Sequence, residues 1–253
     1  IGQLAGQFDQ MAARLEASFA ELAAERDALR RFIADASHEL RNPITALRSF
    51  NELLQGAAAQ DEAARQEFLA ESQRQVDRLE WVTHHLLDLS RLDAGLVPLD
   101  LADHSVSDLI GAVLPAFRTL ARDKEIAISF IEPDPAPLVR CDRARVELAL
   151  SNLLDNAVKF TPAGGSIQVG ASVQGVRVHL WVQDDGPGIS DEDLPHIFDR
   201  FYRGRGAGDG GPDPAGSGLG LSIAQSIAQA HGGRVFVETV PGAGSRFGLE
   251  LPA

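Results

Sequence analysis

The 253-residue sequence predicts a chain of two parts. The first is a helical hairpin that completes a four-helix bundle with a second copy; the second is an α/β sandwich, with helices on one face of a mixed sheet. Three observations predict this class. Helix breakers are sparse up to residue 95, with 4 glycines and 1 proline, and crowd the remainder, with 20 and 12. Apolar residues in the first part recur every three or four positions. In the second, short β-branched segments alternate with helical stretches.

The first part carries two heptad-like runs, Leu4, Phe8, Met11, Leu15, Phe19, Leu22 and Leu29, Ile33, Ala36, Leu40, Ile44, Leu47. Each has one stutter, which locally unwinds a supercoil. Gly56 to Asp61 reads as a turn. A second helix follows with Leu69, Val76, Leu79, Val82, Leu86 and Leu89 as its stripe, ending near Asp93-Ala94-Gly95. Two helices cannot enclose a core alone, so a homodimer is expected, the alternative being a hairpin packed on the second part. Beyond a connection near Leu96 to Leu101, Ser107 to Arg122 and Arg143 to Lys159 read as helices and Ile126 to Ile131 as a strand. Ser166 to Val173 and Val176 to Gln183 alternate like paired strands. A helix from about Leu219 to Ala230 and strands near Val235–Thr239 and Ser245–Leu251 close the chain.

Composition narrows the functional classes. Hydrophobic residues at 44% and charged residues at 23% are globular values. A net charge of −13 repels phosphate backbones, so no nucleic-acid partner is expected. The single cysteine, Cys141, forms no intrachain disulfide. No apolar run reaches the roughly 18 residues that cross a bilayer. The chain opens at Ile1 rather than Met, and is expected to be a fragment of a longer protein.

The first chemical feature is Ser37-His38-Glu39-Leu40-Arg41-Asn42-Pro43. His38 falls about 200° around the helix from the seam residue Ala36, towards solvent. A neutral imidazole has one nucleophilic nitrogen, and the adjacent Glu39 can take the proton from the other. Asn42, at i+4, shares the face of His38 and can orient a water there. Pro43 leaves the Glu39 carbonyl without its helical donor and permits a bend. Standing alone, His38 reads more readily as a solvated surface histidine of a coiled coil.

Three further constellations suggest a nucleotide pocket. Asn152, Asn156 and Lys159 share one polar helix face, where an amide oxygen can ligate Mg²⁺ and Lys159 can reach a phosphate. Asp184-Asp185-Gly186-Pro187-Gly188-Ile189 follows a strand; a carboxylate at a strand end can accept from an exocyclic amine, and Gly186 and Gly188 admit close backbone approach. Gly204 to Gly220 contains eight glycines and ends Gly216-Ser217-Gly218-Leu219-Gly220-Leu221, which suits a phosphate cradle running into a helix N-terminus. Before it, Phe198 and Phe201 suit anchors, and Arg200 and Arg203 can face phosphates. No Gly-Lys-Ser/Thr is present, so this is not a Walker loop.

These motifs, in this order and over roughly residues 30 to 253, resemble the sensor histidine kinases of bacterial two-component systems. The resemblance implies a dimeric phosphoacceptor hairpin and an ATP-binding sandwich of the Bergerat type shared with gyrase, MutL-type and chaperone ATPases. It implies that His38 accepts the γ-phosphoryl group of ATP with Glu39 and Asn42 beside it, that Asn156 holds Mg²⁺, and that Asp184 recognises adenine. Asn152, Lys159, Gly186, Gly188, Ile189, Phe198, Tyr202, Arg203, Gly216, Ser217, Gly218, Leu219, Gly220 and Leu221 would complete the nucleotide site. The partner implied is the receiver domain of a response regulator, which takes the phosphoryl group on an aspartate and is dephosphorylated with help from Asn42. Residues 1–16 resemble the end of a HAMP linker. The expected division is then 1–16 linker, 17–34 signalling coiled coil, 35–95 dimerisation and phosphotransfer, and 96–253 catalysis, as the soluble cytoplasmic portion of a membrane-anchored sensor. A hydrolysing ATPase of the same sandwich would need a glutamate one helical turn before Asn156, where Asn152 stands.

Overall fold

The computed structural model describes residues 2–56, 61–93, 98–132, 137–204 and 217–253. Two compact units divide inside the second helix, Ile1–Val82 and Thr83–Ala253. In the first, α1 (Gly2–Gln55) runs unbroken through Pro43, and α2 (Glu62–Asp93) returns after a turn at Gly56. Asp61 begins α2 by accepting from the backbone N–H groups of Ala63 and Ala64. Phe50 stacks on Phe68 near the turn, at 5.9 Å between ring centroids. The expected seam lies on the surface of the chain: Met11, Leu15, Phe19, Leu22, Leu29, Ile33 and Ile44 are each more than half exposed. Ala94 and Gly95, the expected helix stop, lie outside the described residues.

The second unit is the expected sandwich. Its elements are β1 (Leu101–Ser105), α3 (Val106–Asp123), β2 (Ala127–Ile131), β3 (Leu138–Asp142), α4 (Arg143–Phe160), β4 (Ser166–Gln174), β5 (Arg177–Asp184), α5 (Gly220–Ala230), β6 (Arg234–Val240) and β7 (Gly244–Pro252). The five-stranded sheet has the order β2-β4-β5-β7-β6, with only the β2–β4 pair parallel. The β4–β5 hairpin turns at Gly175-Val176, where Gly175 takes φ +61°. Alternation sends Val178, Leu180 and Val182 of β5 and Phe247, Leu249 and Leu251 of β7 inward. They meet Leu109 and Ile110 of α3, Leu150, Leu153 and Leu154 of α4, and Ile223 and Ile227 of α5 in one core. Leu89, near the end of α2, belongs to the same core.

Sequence periodicity did not predict β1 and β3, which form a separate antiparallel ribbon. Pro133, Pro135 and Pro137 make the approach to β3 read as loop, and β1 is too exposed to alternate. The ribbon leads into α4, whose N-cap Asp142 accepts from the Arg145 N–H. The Asp142 N–H donates to Nε2 of the buried His231, whose Nδ1 lies 2.7 Å from the Ile227 carbonyl. One imidazole so ties the end of α5 to the start of α4.

The outward face of the sheet carries one row across four strands, Gly170, Trp181, Gly248 and Phe236. A Cβ at Gly170 would run into the Trp181 ring, and one at Gly248 into Phe236. The aromatics lie flat in the spaces the glycines leave, and the Arg246 guanidinium covers Trp181 at 4.1 Å from its centroid. Truncating the fully buried Leu150 to alanine opens a cavity in the core. Leu150→Ala is expected to lower the stability of the second unit by about 2–5 kcal/mol, read from the midpoint of chemical unfolding.

Candidate functional site

His38 lies on α1 and is exposed, as is Asn42 one turn later. The backbone around them is locally weakened. Ser37 and Thr45 donate their hydroxyls to the carbonyls of Ile33 and Arg41, and Pro43 supplies no N–H to Glu39. Glu39 points to the other helix. Its Oε2 accepts from Nη2 of Arg78 on α2 at 3.0 Å, with both side chains mostly buried. The base expected beside His38 is thus ion-paired in this conformation.

The nucleotide candidates gather in the second unit where β5, α4 and α5 end or begin. Asp184 is the last inward residue of β5 and is buried. Its Oδ1 accepts from the N–H groups of Gly186 at 2.9 Å and Ser245 at 3.3 Å, while Oδ2 has no hydrogen-bond partner among the described residues. Burial pushes the Asp184 carboxyl above its ordinary value and the charge of Asp185 adds to this; the two N–H groups pull it back. The neighbouring Asp185 has a different task. Its Oδ2 accepts from both the N–H and the hydroxyl of Ser166, fixing the start of β4.

Glycine is required around this carboxylate. A Cβ on Gly186 would stand 2.8 Å from Asp184 Oδ1 and 2.9 Å from the Phe160 carbonyl at the end of α4. Gly188, at φ +69°, lies against the Val240 backbone. The Ile189 N–H donates to Thr239 Oγ1, which also bonds to Ser245 Oγ at 2.9 Å. Thr239 and Ser245 are site residues the motif reading missed. They lie on β6 and β7, more than fifty residues beyond Asp184, and only the strand register reveals them.

On α4, Asn152 is buried and donates Nδ2 to the Leu148 carbonyl, which leaves Oδ1 facing Gly220. A Cβ there would approach that oxygen to 3.0 Å. Asn156, one turn on, is half-buried and has no hydrogen bond or ion pair among the described residues. A sheltered amide oxygen without a protein partner fits a hard cation shared with phosphates. Lys159 follows on the same helix, half-buried.

The loop ends are pinned together. Phe201, at φ +61°, donates its N–H to the Gly218 carbonyl at 2.9 Å, and a Cβ on Gly218, itself at φ +70°, would strike the Phe201 backbone. Phe198 and Phe201 pack against the core as the expected anchors, while Arg203 is exposed. Tyr202 donates its hydroxyl to Asp193. Ser217 Oγ accepts from the Leu219 N–H, and α5 then begins with no side-chain cap. Among the described residues no side chain caps its first amides, which suit an anion. The Leu219 side chain is fully buried, and that of the partly buried Leu221 packs on the core. Gly216 lies outside the described residues.

Residues 28–95 match the His Kinase A (phospho-acceptor) domain, and residues 141–253 match the family of histidine kinase-, DNA gyrase B- and HSP90-like ATPases. The signal transduction histidine-protein kinase AfsQ2 of Streptomyces coelicolor is 34% identical over 100% of this chain and 47% of its own length. The chain spans about half the length of the relatives it matches. Among solved structures, the Acinetobacter baumannii histidine kinase AdeS superposes with a TM-score of 0.69 at 26% identity, covering 85% of this chain and 97% of that one. Histidine kinase ThkA, solved in complex with response regulator protein TrrA, gives 0.70 at 25% identity over 88% of this chain and 61% of that one. An exposed histidine inside the phospho-acceptor match, and a glycine-lined carboxylate inside the ATPase match, place this chain in the sensor histidine kinase family.

Proposed function

We propose that the chain is the kinase portion of a two-component sensor, which phosphorylates itself on His38 from ATP and passes the group to an aspartate of a response regulator. The observation that carries this reading is the exposed His38, flanked by Glu39 and Asn42, in one chain with a glycine-lined corner whose Asn156 amide and Asp184 Oδ2 lack protein partners among the described residues. The complex of the similar kinase ThkA with its response regulator supports the class of partner. The exposed apolar stripe of α1 supports a homodimer, which covers it in a coiled coil before the hairpin and in a four-helix bundle along the hairpin. The finer division, with 1–16 ending a HAMP-like linker, 17–34 a signalling coiled coil, 35–95 the acceptor hairpin and 96–253 the catalytic part, belongs to this proposal, as does a membrane anchor beyond the chain.

Phosphoryl transfer needs little covalent help from protein; it needs positioning and charge stabilisation. Asp184 Oδ2 accepts the exocyclic N–H of adenine, and the site discriminates against bases that present an acceptor there. Gly186 and Gly188 let the ring approach the backbone. The uncapped amides of α5 and the ammonium of Lys159 hold phosphate oxygens. Asn156 and Asn152 offer neutral amide oxygens that would hold Mg²⁺, and the ion would supply charge screening to the phosphates. One ring nitrogen of His38 forms the new N–P bond as the bond from the γ-phosphorus to the bridging oxygen breaks and ADP leaves. Glu39 accepts the proton from the other ring nitrogen once its carboxylate leaves Arg78. In the reverse duty, Asn42 orients a water towards the phosphorylated aspartate of the partner.

His38→Gln is expected to abolish labelling from γ-labelled ATP while nucleotide affinity stays within twofold of wild type; loss of affinity in that variant overturns the assignment. The label on the parent chain should be acid-labile and alkali-stable, as a phosphoramidate is. Asn156→Ala is expected to remove Mg²⁺-dependent labelling, and unchanged turnover overturns its role. Asp184→Asn is expected to weaken ATP binding at least tenfold and yet to raise the melting temperature near neutral pH. The buried carboxylate titrates above its ordinary value, so its protonated form suits the fold and ionisation costs stability as pH rises through the raised value. The stability advantage of Asp184→Asn therefore shrinks as pH falls towards the ordinary carboxylate value, which thermal melts from pH 4 to 8 will check.

A further inference from the structure

Asp193 immediately precedes the short 3-10 turn Leu194–His196, the position where an aspartate ordinarily caps backbone amides. It makes no such bond. Its carboxylate is committed elsewhere. Oδ1 accepts from the Tyr202 hydroxyl at 2.7 Å, and Oδ2 accepts from the Ser190 hydroxyl at 2.8 Å. Ser190 Oγ in turn accepts from the Asp193 N–H at 3.1 Å, so the carboxylate is braced by its own turn. Gly204, two residues past Tyr202, runs so close that a Cβ would lie 3.2 Å from Oδ2. The His196 ring stands 5.4 Å from that of Tyr202, with Nδ1 on Asp199 at 3.0 Å. The backbone on the other side of Tyr202 is held by the Phe201–Gly218 bond.

We propose that Asp193 is a positioning residue for nucleotide binding: it fixes the Tyr202 phenol, and with it the backbone leading into Gly204, before the nucleotide arrives. This rests on the reading of Tyr202 as part of the nucleotide site. A tyrosine at the root of a glycine-rich loop has rotamers to lose when a ligand packs on it. A charge-assisted bond made in advance removes that loss, so the benefit falls on binding rather than on the chemical step. The Asp193 carboxylate also lies close over Gly204, where a Cβ would have to push it aside by a few tenths of an ångström.

The test is a double-mutant cycle in the full chain, with Asp193→Ala, Tyr202→Phe and the pair, read as KM for ATP and kcat for labelling of His38, and as affinity for a fluorescent ATP analogue. Each single variant is expected to raise KM and the analogue's Kd by about five- to tenfold, with kcat within twofold. The pair is expected to be no worse than Asp193→Ala alone, because Tyr202→Phe then removes a bond already lost. Asp193→Asn, whose amide oxygen can still accept from Tyr202, is expected to restore most of the affinity. Additive losses in the pair, a fall in kcat without a change in KM, or a Tyr202→Phe protein with parental affinity overturns the proposal. Failure of the kinase reading gives a different signature: the parent chain forms no phosphohistidine, while the analogue's affinities still run through the same cycle and decide the role of Asp193.

Discussion

A carboxylate at the inner end of a strand is expensive. The alternation of β5 sends Val178, Leu180, Val182 and then Asp184 to the side that faces the helices, so the last position of an apolar row holds a charge. The surroundings are organised by that choice. Two backbone amides, from Gly186 and Ser245, converge on one oxygen, which holds the group in place without neutralising it. To bring them there the chain must turn immediately after β5 over the Phe160 carbonyl, and β7 must open beside β5 in register with Ser245 opposite Asp184. A side chain on Gly186 or Gly244 would enter space that Asp184 or its carbonyl already fills. The glycines of this corner, the Thr239–Ser245 pair and the pairing of β5 with β7 all follow from keeping one acceptor dry and directed.

The two units meet opposite demands. The second buries its apolar residues within itself, at roughly 25 cal/mol for each Å² removed from water. The first leaves a stripe of large side chains on its surface, including Phe19 at 67% exposed. That stripe is a debt only another helical surface of the same periodicity can settle. Between the helices of the hairpin the contacts are partly ionic. The Glu39–Arg78 pair is mostly shielded from solvent, so removing one partner strands the other, and the pair ties the residue next to His38 to the state of the opposite helix.

Much of this was legible in the amino-acid order. The heptad runs called for a partner helix to cover their seam, and Arg143 to Lys159 read as the helix that α4 is. His38, Asn156 and Asp184 stood out because local spacing set them apart. What escaped is non-local. Ser245 meets Asp184 across 61 residues of sequence and Arg78 meets Glu39 across 39, and no periodicity carries such pairings. The β1–β3 ribbon escaped because prolines before β3 imitate a loop. The Tyr202–Asp193 bond escaped because it joins two positions of a stretch with no periodicity to relate them.

The row Gly170, Trp181, Gly248, Phe236 gives the sheet its own weatherproofing. A two-layer sandwich leaves one side of its sheet wet, and large open-faced sheets invite stacking with neighbours. Here two aromatic slabs fill the hollows over two glycines, and a guanidinium roofs one of them. No third layer is needed to keep water from the backbone ladder beneath.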